Sequence, residues 1–447
     1  MKQNKKTLLA CVVATLMLGS GSAKADFEIS TSLNPVGSGA RATGMGGAFI
    51  AVADDATAAS WNPAGLIHLE KPEFSLVYSY LNRGQTTRDS DPANDVHNQG
   101  NSMDSHDLNF ASIAYPFQLL KRNMIVTLNY QQLYNMNKNI NLNLSQSGLG
   151  TIIKDSFTQE GYISAISPAI AIQVLPELSF GATVNIYDDF ADTSSWKSSR
   201  KSLLVDSSTA GTLIIQQDQK MVFSGLNVNL GLIYNLKNKY SFGFVYKTPF
   251  EADLETTTKT TATTFLTAVG PIPSDTTTDN TNELQKMSIP ASYGFGFAYR
   301  HSDSLSMAID VYRTEWSDYA ITDSIGKKNP LSGKYITSTD PTLPANRRGG
   351  KPHDTTQVRV GGEYLFIGDK ITVPVRAGFF YDPEPGQVHV DDFFGFSLGS
   401  GISINKFSFD MSYQYRWGNR VSGEVQGETF SADIDQHTVM SSLIYHS

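Results

Sequence analysis

The chain of 447 residues holds a single cysteine, Cys11, followed by Val12 and Val13 within the first 25 residues. Once those residues are removed, disulfide frameworks, zinc–thiolate clusters and cysteine nucleophiles are all excluded. After the leader no run approaches 18 consecutive apolar residues, so no transmembrane helix is expected. Basic residues are outnumbered, 35 against 43 acidic, for a net charge of −8. Removing the leader's four lysines and no acids makes this about −12, an unsuitable balance for nucleic-acid binding. No G-x-S-x-G elbow is present and no Ser-His-Asp arrangement can be assembled from a motif. The stretch "GSGARATGMGG" has neither a preceding buried strand nor the Lys-Ser/Thr of a phosphate loop. Its glycines fit the packing of a small inserted domain. Asp188-Asp189, Asp391-Asp392, His97 and His106 show no metal-ligand spacing, and a calcium ion at an outer loop has no motif behind it. The expectation is a protein that is not an enzyme, with no cofactor, no metal and no nucleic-acid partner.

What is present begins with an export signal. Lys2, Lys5 and Lys6 precede an apolar run from Leu8 to Leu18, and Ala23-Lys24-Ala25 supplies a small-x-small cleavage site. Residues 1–25 are read as a signal peptide, with Asp26 the first mature residue.

Beyond residue 70 the chain alternates. In "FSFDMSYQYRW", Phe407, Phe409, Met411, Tyr413, Tyr415 and Trp417 share one face, and Ser408, Asp410, Ser412, Gln414 and Arg416 the other. "LSFGATVNIY", "LNVNLGLIY" and "YGFGFAYR" repeat the pattern, which specifies β-strands with one apolar face. Fourteen such segments are expected, beginning near Glu73, Asp107, Asn123, Glu160, Leu178, Phe223, Lys239, Met287, Leu305, Asp354, Lys370, Phe393, Phe407 and Ser431. Tight connections ("QLLKR", "PE", "NLKN", "HSD", "IGDK", "NK") alternate with long ones near 84–106, 136–159, 191–222, 254–286, 319–353, 382–392 and 420–430. Short periplasmic turns and long outer loops are the rhythm of an outer-membrane barrel. The reading is an all-β, 14-stranded antiparallel transmembrane β-barrel over residues 71–447; a family resemblance in the segment before it, given below, implies that residues 26–70 form a small, partly helical hatch that plugs the lumen. The location is the bacterial outer membrane, in contact with its lipid.

Tyr78, Tyr80, Tyr299, Trp316, Tyr319, Tyr415 and Trp417 lie toward strand ends and are expected in aromatic girdles. The Thr-rich "TTTKTTATTFLTA" and the polar "DSDPANDVHNQGNSMDSHD" read as solvated outer loops. Arg359, Arg376 and Arg416 sit between apolar neighbours, so alternation points them into the lumen. They could pair with lumenal acids such as Asp310, Glu363 and Asp410, or hold a ligand's carboxylate headgroup through bidentate hydrogen bonds.

"ARATGMGGAFIAVADDATAASWNPAGL" resembles the N-terminal hatch of the FadL and TodX family of outer-membrane transporters, with "ADDA" followed by "NPA" as the recognisable pair. "YKTPFEADLE", "TEWSDY" and "VRVGGEYLF…VPVRAGFFYDPEPG" are similar to strand-end patterns of that family. The chain departs from it in ending "SSLIYHS", which displaces the terminal aromatic to Tyr445. The resemblance implies passive uptake of long-chain fatty acids or hydrocarbons by a monomeric channel. Ligand binding would shift the hatch, and a kinked strand would open a lateral exit. Carried over, Asn62, Pro63 and Ala64 would be the gate element against the wall. Pro63, with fixed φ and no N–H, would keep that turn rigid. Related barrels that act through protein partners in secretion, the PorV type, share much of the hatch pattern and stand as the alternative.

Overall fold

The computed structural model describes residues 37–89, 99–146, 151–206, 211–266, 275–386, 389–425 and 428–447. The expected signal peptide, Cys11, His97 and the first residues of the hatch lie outside them.

Period-two alternation closes into one antiparallel barrel. Its strands are β1 (Glu73–Asp89), β2 (Gln99–Leu119), β3 (Arg122–Asn135, continued by Lys138–Gln146) and β4 (Thr151–Leu175). Next come β5 (Leu178–Tyr187, continued by Ser194–Asp206), β6 (Gly211–Leu236), β7 (Tyr240–Lys247, continued by Phe250–Leu266) and β8 (Asp275–Ile289, continued by Ser292–Arg300). β9 (Leu305–Thr314), β10 (Thr355–Ile367), β11 (Ile371–Tyr381), β12 (Phe393–Ile404), β13 (Phe407–Val425) and β14 (Glu428–His446) complete the wall. β14 returns to β1 in a ladder running from Glu73↔His446 to Asp89↔Phe430. The displaced terminal aromatic, Tyr445, pairs with Phe74 in that ladder and packs on Phe407 with ring centroids 5.1 Å apart.

The apolar face of each strand looks outward. Ile113, Phe295, Phe379 and Phe407 are each more than half exposed, an arrangement a protein surrounded by water rarely tolerates over so large a surface. Inward positions carry small, polar or charged residues, because the lumen is either wet or filled by protein.

Several strands begin earlier than alternation predicts: Gln99 rather than Asp107, Thr151 rather than Glu160, Gly211 rather than Phe223 and Asp275 rather than Met287. The Thr-rich stretch expected to be loop is the upper half of β7, paired with β8 from Phe250↔Ile289 to Thr264↔Asp275. The physical reason is that a strand projecting beyond the bilayer meets water on both faces, so its sequence shows no apolar period. β6 has 26 residues, roughly 85 Å of extended chain, far more than an apolar band about 25 Å tall requires.

Inside the lower barrel sits a plug. It contains helix α1 (Ala40–Gly44), helix α2 (Ala58–Trp61) and a 3-10 turn (Pro63–His68). Alanines 40, 42, 48, 53, 56, 58 and 59 have no exposed surface. Small side chains let the plug's backbone lie directly against the wall. Gly46 and Gly47, at φ +69° and +76°, turn the chain sharply after α1, a conformation glycine adopts without a Cβ penalty.

Candidate functional site: the plug seat and the aromatic lumen above it

On one side, from β9 to β14, the plug is held by charge and hydrogen bonds. Arg41 of α1 forks onto Glu363 of β10 through Nε (3.1 Å) and Nη2 (3.0 Å), and also pairs with Asp54 of the plug. Glu363 is shared with Arg376 of β11 (2.6 Å), whose Nη1 donates to Asp410 of β13 at 2.5 Å. Asp310 of β9 accepts the plug amides of Phe49 and Ile50 at 2.6 and 2.8 Å. Arg359 donates to the carbonyl of Gly46 at 3.1 Å and pairs with Asp382. Arg416 reaches Asp382 (3.0 Å) and Glu384 (2.6 Å), with its guanidinium 3.7 Å from the centre of the Phe393 ring. Thr43 and Ser412 hydroxyls meet at 2.6 Å, and the amide of Ala40 donates to Ser442.

The three inward arginines are therefore engaged by protein. Arg376 takes two of the acids named from sequence, Glu363 and Asp410. Arg359 and Arg416 take Asp382 and Glu384 instead, and Asp310 serves the plug backbone. A guanidinium bonded to two buried carboxylates has little to offer a ligand headgroup. Charges buried this deeply persist because their partners are in place, and removing one partner strands the other.

On the other side, from β5 to β8, the plug is held by fit. Cross-strand glycines face each other at Gly181↔Gly231 and Gly243↔Gly296, and again across the clamp at Gly361↔Gly378. A Cβ on Gly181 would overlap Pro63, on Gly231 Asn62, on Gly243 Ile50 and on Gly361 Met45. The wall gives up side chains where plug backbone touches it.

Asn62 is fully buried, and its position explains the residue type. Its Oδ1 accepts the Ala64 amide (3.2 Å), capping the turn that Pro63 starts, in keeping with Asn at N-cap and Pro at N1. Its Nδ2 donates to Ile50 within the plug (2.9 Å) and to the Leu232 carbonyl of β6 (3.1 Å). Asn62, Pro63 and Ala64 thus lie on β5 and β6, joined there by Thr183, which donates to the Ala59 carbonyl at 2.9 Å. Opposite this contact, on the outer face, Ile170, Phe180, Leu230, Leu232, Phe244 and Tyr246 line an apolar groove of about 610 Å³. Within the plug, burial pushes the Asp55 carboxyl above its usual range, against the opposing pull of Arg41.

Above the plug the lumen is aromatic. Tyr134, Tyr187, Trp196, Phe223, Trp316 and Tyr319 belong to one buried cluster, with Phe250 packed on it. Tyr187 stacks on Phe250 at 5.3 Å and meets Phe223 edge-on at 5.4 Å. Trp316 and Tyr319, expected in the girdle, are inside: the 3-10 turn that ends β9 (Trp316–Asp318) folds back over the lumen. Tyr78 and Tyr80 do face outward.

Beside this cluster the wall is irregular. The β2–β3 ladder stops at Phe110↔Gln131. β3 carries a register shift between Gln132 and Tyr134 and breaks before Lys138. Higher up, Asn135 donates to Ser105 (2.6 Å) and the Asn141 amide to Asn101 (3.0 Å), so side chains bridge the seam.

Residues 25–445 match the family described as outer membrane protein transport protein (OMPP1/FadL/TodX). The chain belongs to that family. The match covers plug and barrel together, and it favours transport across the outer membrane over a role played through protein partners. No curated relative matches the chain. Among solved structures it is similar to a Pseudomonas aeruginosa FadL homologue (15% identity, 92% of this chain and all of that one, TM-score 0.59). It is also similar to the Pseudomonas putida toluene transporter TodX (15% identity, 93% and 100% covered, TM-score 0.54). The monoaromatic hydrocarbon channel CymD gives 16% identity, 93% and 99% covered, and TM-score 0.53. At these identities the likeness establishes a shared fold. The wall glycines and the acids Asp382 and Glu384 were missed from sequence as parts of the seat. The signal was available: "FGATV", "LGLIY", "FGFVY", "YGFGF", "VGGEY" and "RAGFF" each place glycine at an inward position.

Proposed function

We propose that this protein is a monomeric, passive outer-membrane channel for hydrophobic small molecules, exported with cleavage before Asp26. Ligand enters from the outer side, rests in the aromatic layer around Tyr134, Tyr187, Phe250 and Trp316, and leaves sideways at the β2–β3 seam. No bond is made or broken, so no catalytic group is required.

The observation that carries this reading is the stacking of two unlike layers in one lumen. Among the described residues the plug packs against the wall on both sides of the lower lumen, whereas the aromatic layer offers an apolar molecule a favourable resting place. The FadL homologue and the toluene and monoaromatic hydrocarbon channels share this fold, and the family match supports transport as its use. Movement of Asn62-Pro63-Ala64 away from β5 and β6 is the gating step we assign, because only a few hydrogen bonds hold the plug there.

The test compares uptake of radiolabelled oleate and of toluene in a deletion strain with and without the restored gene. Restoration of either uptake supports the reading. Wild-type rates of both in the deletion strain would sink it.

A further inference from the structure

The β2–β3 seam is built from two irregularities at one height. Its last rung is Phe110↔Gln131. One residue further up β2, Asn109 is the extra residue of a bulge, skipped between Val77↔Phe110 and Tyr78↔Leu108. Across the seam Gln132 adjoins the bulge of β3, where Leu133 is skipped between Gln132↔Ser164 and Tyr134↔Ile163. Bulges disrupt a ladder and re-aim side chains, and among the described residues the β2–β3 ladder does not resume above this pair.

What the opening presents is almost wholly hydrogen-bond acceptor. The oxygens Asn109 Oδ1 and Gln132 Oε1 are buried with no partner among the described residues, and Gln132 as a whole is only 6% exposed. The Gln132 side chain also bonds the Asp107 carboxyl, which as a carboxylate only accepts, so its amide nitrogen points there and its oxygen is left over. Two rungs below the opening, Ser112 and Asn129 face each other across the same seam. Asn129 Nδ2 donates to the Ser167 carbonyl at 2.6 Å, which settles the orientation of its amide. Its Oδ1 and the Ser112 hydroxyl are again buried without a partner among the described residues. Native interiors leave few such atoms, and each one costs free energy until a donor arrives. On the lumen side the opening adjoins Tyr134 of the aromatic layer, and on the lipid side Leu108 and Tyr78 are exposed. A molecule passing from one side to the other crosses this row of acceptors.

We propose that the β2–β3 seam is a hydrogen-bond-accepting subsite that selects neutral apolar molecules bearing one O–H donor, phenols and long-chain alcohols, over the corresponding hydrocarbons. The hydroxyl donates to Asn109 Oδ1 or Gln132 Oε1 while the ring or chain lies against Tyr134. A carboxylate, which only accepts, gains nothing there. This rests on the reading of the seam as the exit and adds the chemistry that the exit reads.

The experiment measures initial uptake of radiolabelled 4-octylphenol, 4-octyltoluene and 4-octylbenzoate in the deletion strain carrying the wild-type or a variant gene. The first two probes differ only in a hydroxyl for a methyl. The wild type should carry 4-octylphenol about fivefold faster than 4-octyltoluene, the worth of one neutral hydrogen bond, and 4-octylbenzoate no faster than 4-octyltoluene. Asn109→Leu and Gln132→Met should each cut the phenol's advantage to about twofold or less, with 4-octyltoluene unchanged. Four results each overturn the subsite while leaving the channel reading intact: equal wild-type rates for phenol and hydrocarbon, an equal advantage for the benzoate, a phenol preference that survives both variants, or parallel loss of all three probes in both. Uptake of none of the three above the deletion strain overturns both readings.

Discussion

From β9 to β14 the plug is held by charge, and from β5 to β8 it is held by fit. The first side joins Arg41, Glu363, Arg376 and Asp410 into one buried chain of ion pairs, with Asp310 gripping two plug amides. The second side offers glycines for the backbone of residues 50 and 62–64 to rest on, and a few hydrogen bonds from Asn62 and Thr183. Ion pairs in a dry site resist separation because each partner left behind is an uncompensated charge. A close fit without charge separates at the cost of dispersion contacts and a few hydrogen bonds, which water can replace. On the gating step proposed above, the charged side is the fixed edge and the fitted side, which carries the Asn-Pro-Ala turn, is the movable one.

The largest expected effect comes from the fixed edge. Glu363→Ala leaves Arg41 and Arg376 facing each other across an empty acid position, at a cost of about 3–5 kcal/mol to plug docking. Maleimide labelling reads this directly: Thr43→Cys should be protected in the parent background and labelled when Glu363→Ala is added. On the movable edge, Gly231→Leu forces Asn62 off β6, and overpacking of this kind costs about 1–3 kcal/mol. Cells carrying it should become sensitive to a large polar antibiotic such as vancomycin. Gly100→Leu, at a position with nothing within 4 Å, should not.

Arg376→Ala sharpens the comparison further. If Arg376 belongs to the fixed edge, uptake of oleate and of toluene should fall together, whereas a headgroup contact would lose oleate alone. The smallest effect lies outside the membrane. Burial pushes Asp391 up to about 6, against hydrogen bonds from Ser422 and the pull of His389. Because the folded form holds its proton more tightly than an unfolded carboxyl, the contact of Asp391 with Ser422 is most stable below about pH 4. That contribution is lost as pH rises through about 6. Protection factors of the amides at Val390–Asp391 and at Ser422, with the intrinsic rise of exchange with pH divided out, should be lower at pH 7 than at pH 5, and Asp391→Asn should flatten the difference.

Alternation made the barrel legible because lipid demands an apolar residue at every second position of a spanning segment. The same logic made the upper halves of β6, β7 and β8 illegible, since water on both faces imposes no period on "TTTKTTATTFLTA". Arg376 could be placed inward from its neighbours, yet its partners could not be assigned: Glu363 lies one strand away and Arg41 more than three hundred residues away in sequence. Asn62-Pro63-Ala64 was recognisable as a rigid turn, but the strands it rests on are set by glycines in β5 and β6, which only the closed barrel brings together. Trp316 looked like a girdle residue because it follows a strand end, and the turn that carries it inward leaves no mark in hydropathy.

The two edges can be locked separately, since the mature chain expected to begin at Asp26 offers no competing thiol. Thr43→Cys with Ser412→Cys, at hydroxyls 2.6 Å apart, ties the charged edge; Ala59→Cys with Thr183→Cys ties the fitted one. Uptake of labelled oleate should persist when the first pair is oxidised, and stop when the second is, recovering on reduction. Uptake that continues through the Ala59–Thr183 lock, or stops only at the Thr43–Ser412 lock, would contradict the assignment of the movable edge.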